Sequence, residues 1–276
     1  MKKVFLTLFA AAVSVAAIAQ TDVWVWKDGV AMKTTQADSI TFAEPSFTDL
    51  YHDGSEAGYN YVDLGLTSGT RWATMNVGAS KTQDYGNYYA WGETTTKETY
   101  HWSTYKYGTY DYDDYYNYSK LTKYNLSDSK TTLDLSDDAA KANWGGKWRI
   151  PTKDQFDELM SQCYWVWTGN YNSSSVSGYI VYKAKNSSDK GKNIYSSGAP
   201  SSSYSLSDAH IFLPAAGVRG DGGLSHAGSY GFYWSSSLDA DGPNFAWRVV
   251  FYSGVVYNLY DHRYFGQSVR AVCPAE

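Results

Sequence analysis

Trp144–Thr152 reads WGGKWRIPT, and the stretch fixes the reading on both sides of it. Gly145 and Gly146 stop a helix, because a residue without Cβ enters the left-handed conformation that closes a last turn. Upstream, Asp137-Asp138-Ala139-Ala140-Lys141-Ala142-Asn143 puts acids at the positive end of a short helix. Downstream, Pro151 and Thr152 precede Phe156, Leu159 and Met160 at helical spacing, and Thr152 with Gln155 makes a capping-box pattern. The spacing predicts a second helix whose apolar face packs on a sheet.

Moving outward, the chain changes to period two. YVDLGL from Tyr61, a turn at Thr67-Ser68-Gly69 and TRWATMNVG predict a hairpin with Val62, Leu64 and Leu66 on one face. Trp165, Trp167, Ile180 and Tyr182 predict another, and short strands follow near His210–Ala215, Gly231–Ser236, Phe245–Tyr252 and Gln267–Val272. Near the N-terminus, DVWVWKDGVAMKTTQADSITF from Asp22 to Phe42 alternates at Val23, Val25, Ile40 and Phe42 around Asp28-Gly29, the dipeptide that suits a tight hairpin turn. Glu44–Asn60 reads as a linker, and the Tyr-, Asp- and Asn-rich Tyr105–Tyr118 and the Ser-, Lys- and Gly-rich Lys185–Ser207 read as loops. Two short helices among many short strands place the chain in the α+β class.

Met1–Gln20 has Lys2 and Lys3, an apolar run and Ala17-Ile18-Ala19, the layout of a secretory signal peptide, 1–19, removed on export. No later stretch approaches the roughly 20 apolar residues of a membrane helix. Export takes two cations and no acid from the 23 Lys+Arg and 28 Asp+Glu, leaving a net charge of about −7. Clustered cations are what displace counterions from nucleic acid and anionic lipid, so both are excluded as partners. In an oxidising compartment the two cysteines, Cys163 and Cys273, either pair or stay as two separate buried thiols. Aromatic residues make up 17% of the chain, 27 of them Tyr, against 18% charged, which is more aromatic surface than a core absorbs. Tyr with Ser, Gly and Asn is the composition of binding loops.

The ordered series YVDLGLTSGTRWATMNVGA from Tyr61, YGNYYAWGE from Tyr85, WGGKWRIPT, FLPAAGVR from Phe212, GFYWSSS from Gly231 and SVRAV from Ser268 resembles the Fibrobacter succinogenes major paralogous domain family. The resemblance covers about three quarters of the chain. It implies a C-type lectin-like, formylglycine-generating-enzyme-like fold over 61–274, with SVRAV as the closing central strand and Trp144, Trp148, Arg149, Trp234 and Arg270 as core residues. Residues 20–43 resemble a short β-hairpin module found on exported proteins of the same bacterial group, with 44–60 as linker. The family's function is not established, so the resemblance supplies a scaffold and an address in the periplasm, at the cell surface or outside the cell.

Chemistry-bearing patterns are sparse. Formylglycine-generating enzymes use paired cysteines, and Cys273 has no second Cys nearby to build a two-coordinate soft copper site. The histidines His52, His101, His210, His226 and His262 are scattered. Asp239-Ala240-Asp241-Gly242 and Asp111–Asp114 each offer part of a calcium shell but no complete loop, and Asp241-Gly242-Pro243-Asn244 stands where a sugar-binding Glu-Pro-Asn would be sought. No nucleophile elbow or phosphate-cradling loop is present. Arg219-Gly220-Asp221 follows FLPAAG as an ordinary turn.

One segment stands out, Tyr257-Asn258-Leu259-Tyr260-Asp261-His262. Asn, Tyr, Asp and His differ only in the first base of their codons, a set that resembles the output of diversity-generating retroelements on C-type lectin-like targets. Either diversification for binding or drift in a Tyr-rich family produces it. The sequence predicts a non-catalytic ligand-binding or adhesion protein that recognises a glycan or surface protein through aromatic-rich C-terminal loops, without cofactor or metal. Trp247, Tyr252, Tyr257, Asn258, Tyr260, Asp261, His262 and Tyr264 are the expected contact residues. An extracellular polysaccharide-acting enzyme and a structural envelope component are the alternatives, since 28 acids always allow carboxylate pairs.

Overall fold

The computed structural model describes residues 51–109, 120–192, 194 and 203–275, together with the backbone of 23–27 and 30–34. The expected signal peptide, the Asp28-Gly29 turn, Ile40, Phe42, Asp111–Asp114 and parts of the linker and of both expected loops lie outside the described residues. The chain divides into two units, Met1–Phe47 and Thr48–Glu276. In the first, β1 (Val23–Lys27) pairs antiparallel with β2 (Val30–Thr34), Lys27 opposite Val30.

The second unit is mixed α+β, mostly strands with two helices and curled sheets. It opens with β3 (Gly54–Glu56), β4 (Tyr59–Val62), β5 (Arg71–Ala73) and β6 (Tyr88–Tyr89). Helices α1 (Ala139–Trp144) and α2 (Lys153–Gln162) follow, then β7 (Cys163–Thr168), β8 (Gly178–Lys183) and β9 (His210–Pro214). The chain ends with β10 (Val218–Gly220), β11 (Gly223–Ser225), β12 (Tyr230–Leu238), β13 (Phe245–Tyr252), β14 (Val255–His262), β15 (Gln267–Ser268) and β16 (Val272–Cys273). The largest sheet has the order β14-β13-β12-β15-β6, and smaller ones run β16-β5-β4-β3 and β7-β8-β9.

Folded structure therefore starts inside the stretch expected as linker. The backbone N–H of Asp53 donates to Tyr61 O, and β3 pairs with β4. The carbonyl of Glu56 accepts Trp148 Nε1 at 2.7 Å, a long-range tie that no local composition signals.

WRIPT is where the sequence's expectation and the packing meet. Arg149 exchanges both backbone hydrogen bonds with Val272, Ile150 N donates to Asp138 Oδ2, and Trp148 is fully buried. Asp138 also caps α1 by accepting Lys141 N. Thr152 Oγ1 accepts Gln155 N while Gln155 Oε1 accepts Thr152 N, the reciprocal box that satisfies two otherwise orphaned donors of α2. Phe156 and Leu159 then bury against Val62, Leu64, Leu66, Trp72, Tyr233, Val249, Phe251 and Val256. Trp234, Ala246 and Tyr89 belong to a second cluster with Trp91, Trp102, Trp144 and Trp148, so the main sheet is sandwiched between two cores.

SVRAV is central but is not one strand: β15 ends at Ser268 and β16 begins at Val272. Between them Arg270, fully buried, donates to Asn76 Oδ1, Ala73 O and Phe212 O at 2.7–3.0 Å. Its guanidinium thereby ties three segments together. Arg263 does the same for the loops, donating to Tyr105 Oη, Tyr124 O, Pro243 O and Lys123 O while packed on the rings of Trp91 and Tyr105.

Candidate functional site

The segment Tyr257–His262 is not a loop. It forms most of β14, an edge strand joined to β13 by a turn in which Gly254 sits at φ +86°, a conformation open to glycine. Register pairs Trp247 with Tyr260, Val249 with Asn258, Val250 with Tyr257 and Phe245 with His262. Because successive side chains of a strand point to opposite faces, the expected contact residues are divided between two surfaces.

One face carries a ladder of rings. Trp247 lies edge-on to Tyr260 at 5.8 Å, Tyr260 meets Phe245 at 5.1 Å, Phe245 stacks on His262 at 4.5 Å, and His262 stacks on Tyr264 at 5.7 Å. Tyr264 continues to Phe265 at 4.3 Å and to His101 at 5.8 Å. Tyr260 is 44% exposed, and Trp247, Phe245, His262 and Phe265 are half-buried. Such offset and edge-on pairs hold rings in fixed orientations.

Helix α2 borders this face. Asn258 Nδ2 donates to Asp157 Oδ1 at 2.5 Å, Lys153 Nζ pairs with Asp157 Oδ2 at 2.6 Å, and the same ammonium lies 5.1 Å from the Trp247 ring. At the far end His101 Nε2 is 3.6 Å from Asp221 Oδ2, and the loop Asp239–Gly242 touches Phe245, where a Cβ on Gly242 would lie 3.1 Å from the ring. Burial pushes the His262 imidazole down to about 4, so the ladder's histidine is neutral at neutral pH.

The opposite face is a separate group. Tyr252 meets Tyr230 at 5.0 Å, Tyr230 stacks with Phe232, and His226 lies edge-on to Tyr230 at 5.2 Å. Asp261 belongs here, paired with Arg248 at 2.6 Å and accepting Gln267 Nε2, while burial raises its carboxyl above the usual range. The Arg248 guanidinium packs 4.6 Å over Phe232.

Two expected contact residues are engaged within the protein itself. Asp261 is tied up in its ion pair, and Tyr264 is buried at 9% exposure because Trp102 packs edge-on against it. Of the two alternatives for Cys163 and Cys273, the structure has the separate thiols: both are free and buried in different clusters. Burial pushes both thiols up, Cys273 to about 11, which keeps them unreactive.

Phe245, Phe265, His101, Lys153 and Asp157 complete the ladder's surroundings and were not singled out from the sequence. Period-two pairing across Ser253-Gly254 would have found Phe245 opposite His262. The others arrive through tertiary packing alone. Among the described residues no three His, Cys, Asp or Glu converge on a possible metal position, and no helix is long and apolar enough to cross a membrane. Arg219-Gly220-Asp221 lies at the β10–β11 hairpin with Arg219 over the Tyr88 ring at 5.2 Å. No family model, curated protein or solved structure matches the chain.

Proposed function

We propose that this chain is an exported, non-catalytic glycan-binding protein of the Fibrobacter succinogenes major paralogous domain family, its larger unit a C-type lectin-like domain. The family reading rests on the motif series from Tyr61 to Val272, and the binding reading rests on one observation. Trp247, Tyr260, Phe245 and His262 form a continuous ladder of partly exposed rings on the edge hairpin, held from below by the sheet and from the side by α2. The apolar faces of sugar rings stack on such surfaces, and Asn258, Asp157 and Lys153 supply directional hydrogen bonds at the margin.

The test is binding of the mature protein, residues 20–276, to a broad glycan array with and without calcium, beside two variants. Trp247→Ala/Tyr260→Ala strips the ladder, and Tyr252→Ala/Tyr257→Ala strips the opposite face. Selective binding lost only in the first variant supports the reading. Absence of binding, or equal loss in both variants, overturns it.

A further inference from the structure

The geometry points to an extended, uncharged polysaccharide lying along the β13–β14 hairpin as the ligand of the ladder, with acidic glycans turned away. The inference rests on the glycan-binding reading above and adds the ligand's charge and form.

Form follows from the spacing of the rings. The cross-strand pairs Trp247–Tyr260 and Phe245–His262 are two residues apart along each strand, a separation of about 7 Å. Half-buried Phe265, 6.5 Å from the His262 ring, carries the ring surface onward, with buried Tyr264 packed beneath it. The surface is thus a line of successive stacking positions rather than a single cup. A single ring engages one position, whereas a chain engages them in series.

Charge follows from the rim. Asp157 stands at the α2 side, Asp221 at the His101 end, and Asp239 and Asp241 on the loop that touches Phe245. Asp157 and Asp221 have side chains 44% and 61% exposed, and Asp241 is exposed. Among the described residues, the cations placed against the strip's rings are Lys153, already engaged by Asp157, and His101 when protonated. Carboxylates with free lone pairs accept hydrogen bonds from sugar hydroxyls, so a neutral polyol suits the rim. A uronate or sulfate would face like charge without a free basic partner, the repulsive element that makes a site selective. The net charge of −5 for the whole chain acts in the same direction at long range.

The experiment titrates the mature protein with neutral oligosaccharides of one to six units from several β-linked hexose and pentose polymers, and with oligogalacturonate and a sulfated glycan, at low and at physiological salt. The expected result is affinity for a neutral series that rises a few-fold to about tenfold per added unit over the first three or so and then levels. Acidic chains bind at least about tenfold more weakly at low salt, and Asp157→Asn/Asp221→Asn narrows that gap. Tyr260→Ala weakens the neutral series while its melting temperature stays with the parent's, which separates lost stacking from lost folding. Equal or preferred binding of acidic chains, or a monosaccharide bound as tightly as a trimer, overturns the inference while leaving glycan binding intact. No binding of any sugar in the panel overturns both.

Discussion

Tyr257–His262 and Gln267–Cys273 lie close together along the chain and are alike in mixing aliphatic with hydrogen-bonding residues, yet they have opposite fates. The first is the edge of the main sheet, with Leu259 and Tyr260 exposed. The second passes through the middle, where every residue is buried and Arg270 is spent on three protein acceptors. Whether a segment is covered on both sides, more than residue type, separates a surface available to a ligand from one that holds the protein together. An edge strand has one neighbour and leaves side chains to solvent, whereas a strand between two cores leaves none.

The comparison breaks most visibly at Arg270. Arg270→Leu should lower stability by about 3 kcal/mol or more, because Asn76 Oδ1, Ala73 O and Phe212 O lose their donor inside the protein. The measurement is the denaturant midpoint at unchanged slope, and a variant as stable as the parent would show that the guanidinium is not a structural tie.

Asp137→Asn should have the next largest effect. Despite the opposing effect of burial, hydrogen bonds from Lys123 and Tyr124 hold the Asp137 carboxyl at about 2. A depressed carboxylate stabilises fully above its ordinary pKa of 3.8 and loses that contribution as pH falls toward 2. The parent should lose about 1–2 kcal/mol across that window that the variant never had. Parallel pH profiles for the two proteins would refute the assignment.

His262 provides a smaller effect on the ladder itself. Its imidazole stays neutral in the folded protein down to about 4, against an ordinary 6.5, because it is buried. The unfolded chain takes up that proton first, so stability is full above 6.5 and declines as pH falls toward 4. His262→Phe keeps the stacking and should flatten the profile in that interval. If the parent and His262→Phe melt identically from pH 7 to 4.5, the histidine is more solvated than its packing indicates.

At the edge, Tyr260→Ala should change stability by no more than about 0.5 kcal/mol, as expected for a side chain 44% exposed. Its effect belongs to binding, where a loss of about tenfold is expected for one stacked ring. Tyr257→Ala, pointing to the other face, should leave binding unchanged, and a matching loss there would show that the two faces act together.

Much of the scaffold was legible in the chain. Thr152 and Gln155 announced α2, Asp138 and Gly145 bounded α1, and Val62, Leu64 and Leu66 announced a buried side. The binding segment was legible as a composition but not as a shape. Reading Tyr257–His262 as a loop missed its pairing with Phe245–Tyr252, and so missed that Tyr260 and Asp261 face opposite ways. Arg270 was expected in the core and is buried there, but reading SVRAV as one strand missed its acceptors, of which Asn76 and Phe212 lie far away in sequence.

The sequence by itself determined the caps, the turns and the alternation, because a cap or a glycine turn is satisfied by groups within a few residues of it. Only the tertiary structure decided that β14 lies at the edge, that β15 lies between β12 and β6, and that Lys153, Asp157, His101 and Asp221 gather around one strip of rings. Burial and exposure are properties of a residue's neighbours in space, and here those neighbours come from segments that share no local signal.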